Sequence, residues 1–176
     1  MKILVLGLGN DLYGDDGVGI HAVRVLRNEW SHRGRTRGKP SGRGRRTARV
    51  DFVECALSGI AVLDVIRGYD ALVIVDTIMR PEPVTGRVHL LEASDVRDVP
   101  GPSPHYVSIP QTIALGTQLG VKMPKILKIV GVEANTVYRL GEDLSEEMKR
   151  RLPEIVGRTR EVLIEWLSGA VRRISP

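Results

Sequence analysis

The chain has 176 residues, 42% hydrophobic and 27% charged, which excludes a wholly disordered polypeptide and fits a single domain spanning residues 1–176. Its single cysteine, Cys55, excludes an internal disulfide framework and a multi-cysteine zinc site, and no apolar run approaches the ~18 residues of a membrane-spanning helix. The net charge of +5 is local: eight basic residues lie between Ser31 and Arg49 in a stretch without acids, and outside it 18 basic residues face 21 acidic ones.

Lys2 to Leu8 is an unbroken Ile/Val/Leu run, the pattern of a strand buried on both faces of a parallel sheet. Gly7, Gly9 and Asn10 end it. The run is too short for the apolar core of a secretory signal, which makes the cytoplasm the expected location. Val18, Ile20, Ala22, Val23, Val25 and Leu26 predict a helix through about Glu29. The stretch at about 31–49, rich in Gly and Arg, cannot bury a core and predicts a flexible basic insertion. Val50 to Cys55 predicts a second strand. Ser58 is placed to cap a helix carrying Ile60, Leu63 and Ile66, which stops near Gly68. Ala71 to Val75 predicts a third strand that ends at Asp76.

The segment Thr77–Gly86, with Pro81 and Pro83, offers no helix, whereas a parallel return needs a crossover of about a dozen residues. Arg87–Leu91 is therefore expected as an antiparallel edge strand. Pro100, Pro102, Pro104 and Pro110 mark an irregular stretch around His105, Thr112–Leu119 reads as a helix, and Lys125–Val132 reads as the last strand. Ser145 opens a C-terminal helical region whose apolar stripe includes Met148, Ile155, Val156 and Leu163, and Pro153 is expected to kink or split it. The expected architecture is a three-layer α/β sandwich. Its twisted, mostly parallel sheet has about five strands and one antiparallel edge strand, with helices on both faces.

In open α/β sheets, ligands bind beyond the carboxyl ends of the strands. The first strand delivers Asn10, Asp11, Asp15 and Asp16 there, the second Glu54 and the third Asp76, and the segment carrying His105 is placed to join them. Two or three carboxylates with one imidazole form a donor set for a borderline divalent ion such as Ni2+ or Zn2+. Plainer roles exist for each: Asp16 capping the first helix, Asp76 capping a turn, His105 at the surface. His21, His32 and His89 are not expected as ligands. Gly7-Leu8-Gly9 lacks the third glycine of a dinucleotide fingerprint, since Leu12 stands in its place. No Gly-x-Ser-x-Gly elbow is present, and Cys55 reads as a small buried residue. The basic stretch carries the charge but not the aromatics of a base-reading surface, so nucleic acid is not the expected partner.

The segment Gly7-Leu8-Gly9-Asn10-Asp11-Leu12-Tyr13-Gly14-Asp15-Asp16-Gly17-Val18-Gly19 resembles the opening of the nickel–iron hydrogenase maturation endopeptidases, roughly G-x-G-N-x-L-x-x-D-[DE]-G-x-G after the first strand. Leu72-Val73-Ile74-Val75-Asp76, Ser103-Pro104-His105 and Lys128-Ile129-Val130-Gly131-Val132 follow in the family order. Leu144-Ser145 and Leu152-Pro153-Glu154 are similar to its C-terminal end. The resemblance implies a sheet of about five strands between helices. It also implies an endopeptidase that removes the C-terminal extension of a hydrogenase large-subunit precursor once nickel is installed. It maps a metal site onto Asp16, Asp76 and His105, with Asp16 and Asp76 as the candidate catalytic carboxylates. Asn10, Asp15 and Glu54 fall around the cleft, Glu54 where the family often carries aspartate. The Ni2+ is expected to arrive with the substrate, with Zn2+ or Cd2+ able to substitute in crystals. The basic insertion and Glu133-Ala134-Asn135-Thr136 depart from the common pattern. Two alternatives share features. Peptidyl-tRNA hydrolases open with Gly-Leu-Gly-Asn but continue with an Asn-Pro turn, where Asp11 follows Asn10 here, and a non-catalytic hydrogenase assembly module would bind the precursor without cutting it. The oligomeric state is open.

Overall fold

A computed structural model describes residues 1–36, 48–96, 108–135, 140–141, 143 and 144–169. In chain order its elements are β1 (Lys2–Leu8), α1 (Val18–Thr36), β2 (Arg49–Cys55), α2 (Leu63–Ile66), β3 (Ala71–Ile78), β4 (Val88–Leu91), α3 (Ile109–Gln118), β5 (Ile126–Glu133) and α4 (Glu146–Ser168). They form a three-layer α/β sandwich around a five-stranded sheet of order β2-β1-β3-β5-β4. The first four strands in that order are parallel, and β4 runs antiparallel to β5 at the edge, as the proline-rich link predicts.

The alternation of strand side chains explains the sandwich. Ile3 and Val5 of β1 join Val73 and Val75 of β3 in a cluster with α1 and α4, while Leu4, Leu6, Leu72 and Ile74 point into a second cluster with Ile66 of α2 and Ile109 and Ile113 of α3. A strand buried on both faces must be apolar at every position, which is why β1 and β3 read as continuous runs. Each fully buried Leu or Ile contributes about 1.5–3 kcal/mol relative to exposure. No helix among the described residues is long and apolar enough to cross a membrane.

Four local expectations change. α1 does not stop near Glu29 but continues to Thr36, so the basic insertion expected at about 31–49 begins later, and Arg49 already belongs to β2. Ser31 Oγ donates to Arg27 O, and a His32 ring nitrogen lies 2.7 Å from Asn28 O, side-chain contacts that fit a helix still running there. Residues 37–47 lie outside the described residues. The helix expected after Ser58 is a 3-10 turn, Gly59–Val62, followed by the single turn of α2. Ser58 makes no side-chain cap, and Gly59 has φ 60°. β3 extends through Ile78 and carries Asp76 within it. α4 is one helix through Pro153, because buried Met148 on one side and Ile155, Val156 and Leu163 on the other hold both halves to the same core. Tertiary packing there outweighs the one hydrogen bond that the proline removes.

The start of α1 lies directly on the sheet. A Cβ at Gly19 would meet Val75 O at 2.2 Å and Leu8 O at 2.4 Å, and one at Gly7 would meet Gly19 O at 2.3 Å. Only hydrogen at these positions lets the helix approach the backbone of β1 and β3. Gly19→Ala is expected to lower the unfolding free energy by about 1–3 kcal/mol or more. Urea denaturation checks this through a lower midpoint at unchanged slope.

Candidate functional site

The loop after β1 folds back on itself. Asn10 Oδ1 accepts the Leu12 N–H at 3.0 Å, Tyr13 N–H donates to Asn10 O at 3.0 Å, and Asp16 N–H donates to Tyr13 O at 3.2 Å. These turns bring Asp16, in the 3-10 turn Gly14–Gly17, against the strand end, where its Oδ2 accepts the Asn10 N–H at 2.8 Å. The fold-back requires Gly9, at φ 128°, because a Cβ there would lie 1.9 Å from Asp16 O. The carboxylate of Asp16 therefore acts on the loop before the helix rather than as a simple α1 cap.

Asp76 approaches from β3, in register with Gly131 of β5. Its Oδ1 accepts the Thr77 N–H at 2.8 Å, while Thr77 Oγ1 donates to Asp16 Oδ1 at 3.2 Å. One residue thus binds both carboxylates. Burial of the Asp76 carboxyl is the main cause that pushes its pKa up from 3.8 to about 7. The Thr77 N–H works against that rise, and the charge of Asp16 adds to it. Neither carboxylate is in an ion pair among the described residues. Two facing carboxylates, one of them costly to ionise, suit a shared proton or a cation. His105, the third expected ligand, lies outside the described residues, and the described residues alone hold no cluster of three or more metal-ligating side chains.

The remaining expected residues hold the loop. Asp15 is buried, and its two oxygens accept Ser145 N–H at 2.7 Å and Ser145 Oγ–H at 2.9 Å. Ser145 is the N-cap of α4, with its Oγ accepting Met148 N–H at 3.2 Å, so Asp15 ties the loop to the C-terminal helix. Glu54, at the end of β2, accepts from Arg24 Nε at 2.9 Å and Arg27 Nη1 at 2.7 Å, and Arg24 Nη2 reaches Asp11 at 2.7 Å. The hydrogen bond to Asp11, with Glu54 behind it, holds the Arg24 guanidinium above its ordinary pKa. Glu54 is thus engaged by arginines of α1, on the β2 side of the loop. Thr77, Arg24, Arg27 and Ser145 are the partners that sequence reading misses. Thr77 directly follows Asp76, and Arg24 and Arg27 stand three apart on one helix face, the only local signals of their roles.

The model of the family described as hydrogenase maturation protease matches residues 39–161. The hydrogenase expression/formation protein HupD of Thiocapsa roseopersicina is 28% identical over 175 residues, covering 98% of this chain and 72% of that protein. HupD of Bradyrhizobium diazoefficiens is 27% identical over 179 residues, covering 99% and 84%. Among solved structures, the hydrogenase maturating endopeptidase HybD from E. coli superposes with a TM-score of 0.69 at 22% identity, over 94% of this chain and 93% of that one. The maturation protease HycI from Thermococcus kodakarensis KOD1 superposes with a TM-score of 0.62 at 17% identity, over 92% of each chain. At these identities the superpositions speak for the fold.

Because the Asp76 carboxyl titrates higher in the fold than in the unfolded chain, stability falls as pH rises from about 4 to about 7. Asp76→Asn removes that loss. Its gain in unfolding midpoint over the parent is expected to be larger at pH 8 than at pH 5 in parallel thermal melts. Ser145→Ala strips Asp15 of one partner and α4 of its cap, and is expected to cost about 1–3 kcal/mol in chemical denaturation.

Proposed function

Since the chain belongs to the hydrogenase maturation protease family, we propose that it is an endopeptidase that removes the C-terminal extension of a nickel–iron hydrogenase large-subunit precursor after nickel insertion. The observation that carries this reading is the Asp16–Asp76 pair, bound by Thr77 where the loop after β1 meets the last residues of β3. Nickel is here part of the substrate, carried by the precursor, and Asp16, Asp76 and His105 are the residues that would hold it. Two carboxylates and an imidazole offer the oxygen and nitrogen donors that Ni2+ accepts, and Zn2+ or Cd2+ would accept the same set. A cation placed there would also offset the cost of ionising Asp76 beside Asp16.

The remaining chemistry belongs to the chain. Gripping the precursor at these side chains would fix its scissile peptide over the cleft, and ideal positioning can contribute about 7–11 kcal/mol to lowering a barrier. Asp76 is the candidate base, because burial raises its pKa to about 7 before any metal arrives, and a carboxylate of that kind accepts a proton more readily than an ordinary one. In that role it would take a proton from the water that adds to the peptide carbonyl and return it to the departing amine. Asn10 and Thr77 orient Asp16, and Asp15 holds the loop that carries it. Action in the cytoplasm belongs to the same proposal. Family membership sets aside the peptidyl-tRNA hydrolase alternative. The non-catalytic assembly module differs from the present reading in one observable, cleavage.

Nickel-loaded precursor incubated with the protein is expected to shorten on a gel, while nickel-free precursor is not. Asp16→Asn, Asp76→Asn and His105→Ala are each expected to slow that shortening by about 100-fold or more. Undiminished turnover in all three variants, or equal cutting of the nickel-free form, would overturn the proposed site.

A further inference from the structure

Beyond the carboxyl ends of β1, β2 and β3, the side chains of Leu12, Tyr13, Leu57, Ile60 and Met79 are exposed, and so is Leu140 on the segment before α4. Scattered singly, exposed apolar residues need no explanation. Three of these lie on segments joined by backbone hydrogen bonds. Gly141 N–H donates to Leu12 O at 3.0 Å and Gly14 N–H donates to Gly141 O at 2.7 Å, so Leu140 sits beside Leu12 and Tyr13 on paired backbone. Leu12 is 52% exposed and Leu140 77%. The two segments that carry them are also joined by the two hydrogen bonds between Asp15 and Ser145. The segment of Leu12 and Tyr13 lies one hydrogen bond from the acidic pair, since Tyr13 O accepts the Asp16 N–H.

We propose that Leu12, Tyr13 and Leu140 form a docking ledge for an apolar stretch of the precursor polypeptide next to its metal centre, an inference that rests on the reading of the substrate given above. The charge pattern selects this occupant. A second copy of the chain, meeting the same patch about a two-fold axis, would bring one Asp16–Asp76 pair, without an ion-pair partner among the described residues, toward another. A precursor carrying a divalent cation brings the opposite sign to the same place. The division of labour is that the carboxylates recognise the metal and the ledge recognises the polypeptide, whether or not the metal is present.

The test measures affinity for full-length nickel-loaded and nickel-free precursor by biolayer interferometry, with oligomeric state followed by light scattering. Leu12→Ser combined with Leu140→Ser is expected to weaken binding of both forms alike, by about tenfold or more. Asp76→Asn is expected to weaken the nickel-loaded form alone. Leu119→Ser, which changes a side chain 67% exposed just past α3, is expected to alter neither. Both ledge substitutions are at solvent-exposed positions, and the single variants serve if the pair unfolds. Unchanged affinity in the ledge variants, a loss confined to the nickel-loaded form, or no binding of either form by the parent protein would overturn the ledge. A changed oligomeric state at unchanged affinity would assign the patch to a second copy and overturn it as well. Tight, ledge-dependent binding without cleavage by the parent protein would instead overturn the protease reading and leave the ledge standing.

Discussion

The Thr77 residue joins the two halves of the site. Its hydroxyl donates to Asp16 and its amide to Asp76, so a loop that follows β1 and a strand 60 residues later share one small polar contact. Without that contact the two carboxylates would repel; among the described residues, Thr77 hydrogen-bonds to both of them. With it, Asp16 stays beside Asp76, whose pKa is raised chiefly by burial and further by the charge of Asp16. Strongly perturbed carboxylates of this kind cluster at functional sites, where a fold tolerates local instability.

The close packing of glycine makes this geometry possible. Gly7 and Gly19 let α1 lie on the backbone of β1 and β3, and Gly9 and Gly17 let the intervening loop close on Asp16 and Asp11. The polar residues of the same loop then work as fasteners in three directions. Asn10 holds Asp16, Asp11 is held through Arg24 beside Glu54, and Asp15 holds Ser145 at the head of α4. The ion pairs of Arg24 are half-exposed and contribute little individually. The Asp15–Ser145 contact is buried, so losing one side of it leaves the other unsatisfied. A helix at the far end of the chain is thereby tied to the loop that carries Asp16.

Much of the site was legible because its residues sit at strand ends. Asp76 closes an apolar run, Asp15 and Asp16 follow another, and the rule that ligands gather at the carboxyl edge of a parallel sheet brings them together without knowledge of any contact. What that rule does not do is separate their roles. Asp15 and Asp16 are adjacent in sequence and alike in chemistry, yet one is buried against α4 and the other faces Asp76, because the 3-10 turn points successive side chains in different directions. Glu54 reads from sequence as a cleft residue, and only the facing arginines of α1 reveal how it is engaged.

The amino-acid sequence by itself determined the strand and helix order, the antiparallel edge and the two carboxylate-bearing strand ends, since these follow from local periodicity, proline placement and the length a crossover needs. It also carried the family motif. Tertiary structure alone decided that α1 runs on to Thr36, that α4 survives Pro153, and that Thr77 links Asp16 to Asp76. Those outcomes depend on contacts between residues far apart in the chain, where burial against a common core outweighs local propensity and where a hydrogen-bond partner has no fixed spacing to announce it.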